Sequence, residues 1–386
     1  MKRRPSNNIR SRKTTERFDA LTRADRIYFI GKASWEFWQL GPHLASALPR
    51  FDGVVVTHKS EAESKRFCSH FERSLASIEP PELLRLAENH KITLVDFSTN
   101  FVSLYWVDKL AEHKNITRCD YIQGMYEADR TYPYTTLRFE RDFILKNLKR
   151  YKDLMAVLND EHSRDVLQAR LNALINLDRR YLFQTQSPQH LQYFCANCPK
   201  LSLTPGPNEI YVDVGAHTGV TIRSFLEASR GQYKKIIAVE PYQPNYAIVK
   251  NIGKVLPRYT AYHAALGDFT GFTDFHYNDV LTHGSNALEE PNATVRMVQL
   301  DEIAPDATLI KMDVEGFETK VLGGAKKTIR TNHPSMAIAT YHYANDLFDI
   351  MECVQGIHKY KNIALRQYAL TLFDFIYLFS DTQTFA

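Results

Sequence analysis

The sequence predicts an α/β protein of two Rossmann-like domains: a smaller one, then a larger one whose mostly parallel sheet includes a final antiparallel strand. Three observations predict it. Short apolar runs alternate with helical stretches along the chain, as parallel strands covered on both faces require. One run, Glu209-Ile-Tyr-Val-Asp-Val-Gly-Ala-His-Thr-Gly219, stops at a glycine, bends and passes into a helical pattern through Val220, Ile222, Phe225 and Leu226. The last two runs, residues 363–368 and 373–379, are a few residues apart, the spacing of a hairpin at a sheet edge.

Bulk properties bound the rest. A chain of 386 residues, 44% hydrophobic and 24% charged, is an ordinary globular protein long enough for two cores. Residues 1–17 hold seven basic side chains and one acid, a net +6, so the remainder carries −2 of the chain's +4. The folded body is therefore not a nucleic-acid binder, and residues 1–18 read as a disordered basic tail. The other reading of the tail is a contact to an anionic partner, such as a lipid-linked or phosphorylated substrate. No run approaches 18 apolar residues and no apolar signal core follows the basic start, so a cytoplasmic location without stable membrane insertion is expected. Five scattered cysteines fit reduced thiols, and Cys195-Ala-Asn-Cys198 is a lone pair that predicts no zinc.

In order, residues 19–150 form the first domain. Strands are expected at 26–31, 52–57 and 92–97, with helices through Trp35, Trp38, Leu40, Leu44 and Leu48 and over 82–89. Gly31-Lys-Ala-Ser-Trp35 has one glycine, and Thr57-His58 stands where an acid would follow the second strand, so no nucleotide is expected here. Residues 120–150, with Tyr132-Pro-Tyr134, show no clean period. Residues 151–204 read as a helical connector, with Asn159-Asp160 capping a helix through Leu167, Leu171, Leu174 and Ile175. Residues 205–386 form the second domain, opened by Pro205-Gly-Pro207, with strands at 210–214, 235–240, 259–265, 294–300, 308–313 and 335–341 before the final pair.

The second domain's first turn carries the ligand signal. Gly215 and Gly219 bracket a bend where a bare backbone fits closely against a ligand. Glu240 ends the next strand about 20 residues on, where a carboxylate grips ribose hydroxyls. His217 replaces the middle glycine that pyrophosphate needs, which disfavours a nicotinamide dehydrogenase. S-adenosylmethionine has no phosphate, and its methionine end would lie along Asp213 and the loop, with His217 shaping the site. The competing reading is a strand, turn and helix with no ligand. Asp268 is a candidate for the adenine edge or a simple turn residue, and Ser285-Asn286 lie in an irregular stretch that would close over the cofactor.

A mostly parallel sheet with one reversed final strand is the class I methyltransferase sheet. Asp213-Val-Gly-Ala-His-Thr-Gly219, Ala238-Val-Glu-Pro241, Ala264-Ala-Leu-Gly-Asp268, Leu300-Asp301, Ile310-Lys-Met-Asp-Val-Glu-Gly-Phe-Glu318 and Val321-Leu-Gly-Gly-Ala325 together resemble the FkbM family of S-adenosylmethionine-dependent methyltransferases. The likeness begins near residue 208 and covers about half the chain. Asp160-Glu-His-Ser163, Tyr341-His342 and Asp346-Leu347 resemble a two-domain branch of it. Arg366-Gln367-Tyr368 departs from an expected Arg-His-Tyr, which weakens any role for the middle position. The resemblance implies cofactor contacts from Asp213, Gly215, Ala216, His217, Thr218, Gly219, Glu240, Pro241, Ala265 and Asp268, and an O-methyltransferase acting on a sugar, glycan or related small molecule.

Methyl transfer needs an acceptor oxygen aligned behind the methyl group and a group to take its proton. Such groups belong at the carboxyl ends of the middle strands. Asp313 and Glu315 there serve as base, as hydroxyl anchor or as ligands of a divalent cation, or else they cap the next helix. His342 is the better base by its intrinsic pKa, unless it is only a loop histidine satisfied by backbone. No metal is predicted, although a divalent cation stays possible. Tyr341, Tyr343 and Phe317 suit a carbohydrate face or the core. The rival function is a cofactor-binding module without turnover, a scaffold in glycan assembly. A homo-oligomer stays open.

Overall fold

The structure is a computed structural model that describes residues 19–31, 34–48, 50–57, 77–130, 135–194, 203–275 and 293–381. The basic tail, His58, Tyr132-Pro-Tyr134, Cys68, Cys195 to Cys198 and Ser285-Asn286 lie outside the described residues. Two compact units divide the chain, Met1–Leu145 with Leu171–Tyr181, and Lys146–Arg170 with Leu182–Ala386. The stretch expected as a separate connector is thus shared between them, with the helix Glu161–Asn176 running from one group to the other.

Among its described residues the first unit holds five parallel strands, β1 (Arg26–Ile30), β2 (Gly53–Val55), β3 (Ser77–Ile78), β4 (Ile92–Asp96) and β5 (Ile116–Asp120), in the order β3-β2-β1-β4-β5. The sequence reading lacked β3, which is two residues long, and β5, whose Thr117 and Arg118 interrupt its apolar run. Ser34 caps the helix Trp35–Ala47 by accepting the Phe37 amide at 3.1 Å, and Asn100 caps Phe101–Ala111 at 3.0 Å. The stretch without a period holds the helices Tyr121–Glu127 and Leu137–Lys146. Beyond β4 and β5 the buried Arg179 donates to Asp120 Oδ1 at 2.9 Å and to the Asp96 carbonyl at 2.8 Å, and lies 4.3 Å over the Tyr121 ring. The sheet end where open α/β folds take ligands is therefore filled by the unit's own guanidinium.

The second unit adds β6 (Ile210–Val214), β7 (Lys235–Val239), β8 (Tyr259–Tyr262), β9 (Ala265–Leu266), β10 (Gly271–Phe275), β11 (Ala293–Val298), β12 (Leu309–Met312), β13 (Ser335–Ala339), β14 (Asn362–Gln367) and β15 (Phe375–Ser380). Seven make one sheet, β14-β15-β13-β12-β6-β7-β8, parallel except for β15. The last two strands form the expected antiparallel hairpin at the sheet edge, with β14 outermost and β15, all six of its residues buried, between β14 and β13. One expectation needs correction: the runs at 259–265 and 294–300 are not continuous main-sheet strands. The first breaks after Tyr262, and β9 joins β10 and β11 in a separate three-stranded sheet. The second ends at Val298, and Leu300 opens the helix Leu300–Ile303. Alternating exposure along β10 and β11 shows sheet covered on one face only.

Edge strand β14 is closed by the chain just before the helix Glu161–Asn176. The Asn159 amide donates to the Ile363 carbonyl at 3.0 Å, Asn159 Oδ1 accepts the Ile363 amide, and Ser163 Oγ accepts the Leu365 amide at 2.9 Å. Asp160 caps that helix by accepting the Ser163 amide at 2.7 Å and pairs with the buried Arg366 at 3.2 Å. Gln367 is also structural: its side-chain amide donates to the carbonyls of Ala369, Thr371 and Phe373, bracing the turn into β15. Among the described residues no helix is long and apolar enough to cross a membrane.

Candidate active site

Across the carboxyl ends of β6, β7 and β12 lies a cavity of about 370 Å³, within the range of small-molecule sites. Its floor is the bend after β6. Gly215 has φ +77°, and a Cβ there would sit 2.0 Å from the Asp313 carbonyl oxygen; Gly219 has φ +83°, and its Cβ would meet Ile252 Cδ1 at 2.4 Å. The protein's own backbone thus excludes a side chain at Gly215, and the positive φ favours glycine at both positions. Between them His217 adopts φ +48°.

Glu240 forms one wall. Its two oxygens accept the amides of His217 at 2.7 Å and Tyr242 at 2.9 Å, so the carboxylate is fixed against the bend. Burial pushes its pKa up to about 7, against the pull of those two amides. Ala264, Ala265 and Leu266 supply apolar wall beside it.

Asp313 and Glu315 form the opposite wall. Asp313 Oδ2 accepts the Tyr193 hydroxyl at 2.9 Å, and Oδ1 accepts that of Tyr341 at 3.2 Å. His342 stands behind them with a fully buried side chain. Its Nε2 is 3.3 Å from Glu315 and 3.5 Å from Asp313, and its Nδ1 is 3.2 Å from Glu318. Burial works against the charged imidazole, but Glu318 and Glu315 outweigh it and hold the pKa well above the usual value. That surround favours the charged imidazole over the free base that its residue type suggests. Asp313, Glu315 and His342 also offer one ligand atom each within 4.8 Å of one another.

Of the expected residues, Gly215, Ala216, His217, Glu240, Pro241, Ala265, Asp313 and Glu315 line the cavity. Asp213 does not, because it is fully buried: it accepts the Thr221 hydroxyl and pairs with Lys311 Nζ at 3.2 Å. Thr218 and Gly219 belong to the bend but lie outside the lining. Asp268 lies outside the lining and sits 3.6 Å from Lys320 Nζ. Phe317 lines the cavity, whereas Tyr341 and Tyr343 do not.

Sequence reasoning missed Lys311, Tyr193, Gln192 and Asp374, all in the lining. Lys311 donates to the Gly215 carbonyl at 2.6 Å and the Val214 carbonyl at 3.2 Å, tying the bend to β12. Its signal was visible, since a lysine inside the apolar run Leu-Ile-Lys-Met needs a buried partner. Asp374, which accepts Gln192 Nε2 at 2.8 Å, and Tyr193 sit in irregular segments with no pattern to mark them.

The sheet order and a cavity over its carboxyl ends define a class I methyltransferase-like unit. Residues 213–377 match the family profile "Methyltransferase FkbM domain". Over that stretch the chain is thus similar to the methyltransferase domain of the FkbM family. The crystal structure of methyltransferase FkbM from Methylobacillus flagellatus KT is similar in fold, with a TM-score of 0.74 and 20% identity over 94% of this chain and 92% of that one. Precorrin-6y C5,15-methyltransferase from Geobacter metallireducens GS-15 matches at a TM-score of 0.28 and 13% identity, over 44% of this chain and 78% of that one. Human N-acetylserotonin methyltransferase matches at 0.27 and 9%, over 64% and 68%. No curated protein sequence matches the chain.

Proposed function

We propose that the second unit binds S-adenosylmethionine in this cavity and methylates a hydroxyl of a sugar, glycan or related small molecule. One observation carries the reading: a fixed carboxylate, Glu240, and a carboxylate pair, Asp313 with Glu315, face a single cavity across the bend at Gly215. The residues fit the cofactor, since Glu240 offers acceptor oxygens to ribose hydroxyls, and Ala264, Ala265 and Leu266 offer an apolar wall to a purine. When bound, S-adenosylmethionine supplies an electrophilic methyl group on a sulfonium.

Asp313 and Glu315 act on the acceptor. As the oxygen to carbon bond forms and the sulfur to carbon bond breaks, the acceptor oxygen becomes strongly acidic, so a carboxylate is base enough to take its proton. Asp313, already accepting two tyrosine hydroxyls, orients the acceptor; Glu315, whose partner is the His342 cation, takes the proton. His342 keeps the two carboxylates side by side, since without its charge their repulsion would spread them. Phe317 and Tyr193 offer ring faces suited to a sugar.

Radiolabelled methyl transfer to a panel of glycans and simple sugars tests this reading. Glu315→Gln is expected to lower kcat about 100-fold to 10,000-fold with the cofactor Kd little changed. Wild-type turnover by that variant would remove Glu315 as the base.

A further inference from the structure

We propose a zinc site at the opposite end of the main sheet from the cavity, built from His333, His358 and Asp381. His333 precedes β13, His358 ends the helix Asp346–Ile357, and Asp381 follows β15, so three segments distant in sequence meet there. His358 Nε2 lies 2.6 Å from Asp381 Oδ2, and the His333 ring stacks on His358 with centroids 3.8 Å apart. One ligand atom from each residue lies within 4.8 Å of the others.

The cluster has a supporting frame. Asp381 Oδ1 accepts the Lys361 amide at 2.9 Å, which leaves Oδ2 directed at His358. Tyr360 packs its ring edge-on against His358 at 4.7 Å and donates its hydroxyl to the Pro334 carbonyl at 2.7 Å, holding the residue next to His333 in place. Backing groups of this kind orient ligands in metal sites. Two imidazoles and one carboxylate are a donor set for zinc and its neighbours, not for calcium or magnesium. Zinc replaces the proton shared by His358 and Asp381, which leaves to solvent, and needs each donor atom at about 2.0 to 2.2 Å. A turn of the exposed His333 side chain out of the stack brings its nitrogen into line. Such an ion staples the starts of β13 and β14 to the end of β15 and has no part in methyl transfer.

The test uses the full chain without an affinity tag, stripped with a chelator, and zinc chloride or cobalt chloride alone. Calorimetry should give one zinc per chain with proton release, cobalt should give the visible bands of a low-coordinate site, and zinc should raise the melting temperature. His333→Asn, chosen because asparagine tolerates the φ of +47° found at this position, should weaken zinc at least about tenfold and abolish the melting shift. Asp381→Asn should do the same. No zinc binding by the wild type, or binding that survives in both variants, overturns the proposal.

Discussion

Glu240 shows how far one residue's environment governs its use. Burial raises its pKa from 4.5 to about 7, so the folded protein prefers the neutral acid. That preference stabilises the fold below about 4.5 and is lost as pH rises through about 7. Ribose hydroxyls need the charged form, so binding of S-adenosylhomocysteine should tighten as pH rises from about 6 to about 8. Glu240→Gln should flatten that dependence and weaken binding about 10-fold to 100-fold, read by calorimetry at each pH. A variant that keeps the slope would show that another group titrates. His342 shows the reverse lesson. Its residue type marked it as a base, but Glu315 on one side and Glu318 on the other reserve it for charge, and no single sequence displays such a three-dimensional surround.

At the scale of elements, legibility followed periodicity. The strand at 210–214, the bend after it and the acid after β7 were readable because their apolar runs and punctuation are local. The split between β8 and β9 was not, because pairing partners are set by long-range closure. Gly215 joins the two levels: its position was readable, but its reason, the Asp313 carbonyl 2.0 Å from any Cβ, is tertiary. Gly215→Ala should therefore cost about 2 kcal/mol or more in denaturant unfolding, through both the clash and the positive φ. The edge of β14 yields a second expectation. Asp160→Ala strands the buried Arg366 and removes a helix cap, so a loss of about 3 to 5 kcal/mol is expected; a loss below about 1 kcal/mol would show that the pair is not needed there.

At the scale of the molecule, each unit has a parallel sheet with a carboxyl end able to receive a ligand, and the two ends differ in their fillings. In the first, Arg179 and its aspartates occupy it; in the second, a cavity remains between Glu240 and the Asp313 and Glu315 pair. That difference assigns the chemistry to the second unit, and the family match over residues 213–377 agrees with it. The most direct test is a crystal structure with S-adenosylhomocysteine bound. The account predicts the ribose hydroxyls within about 3 Å of Glu240, and the sulfur facing the space beside Asp313 and Glu315. A ribose away from Glu240, or a sulfur pointing away from that pair, would contradict it.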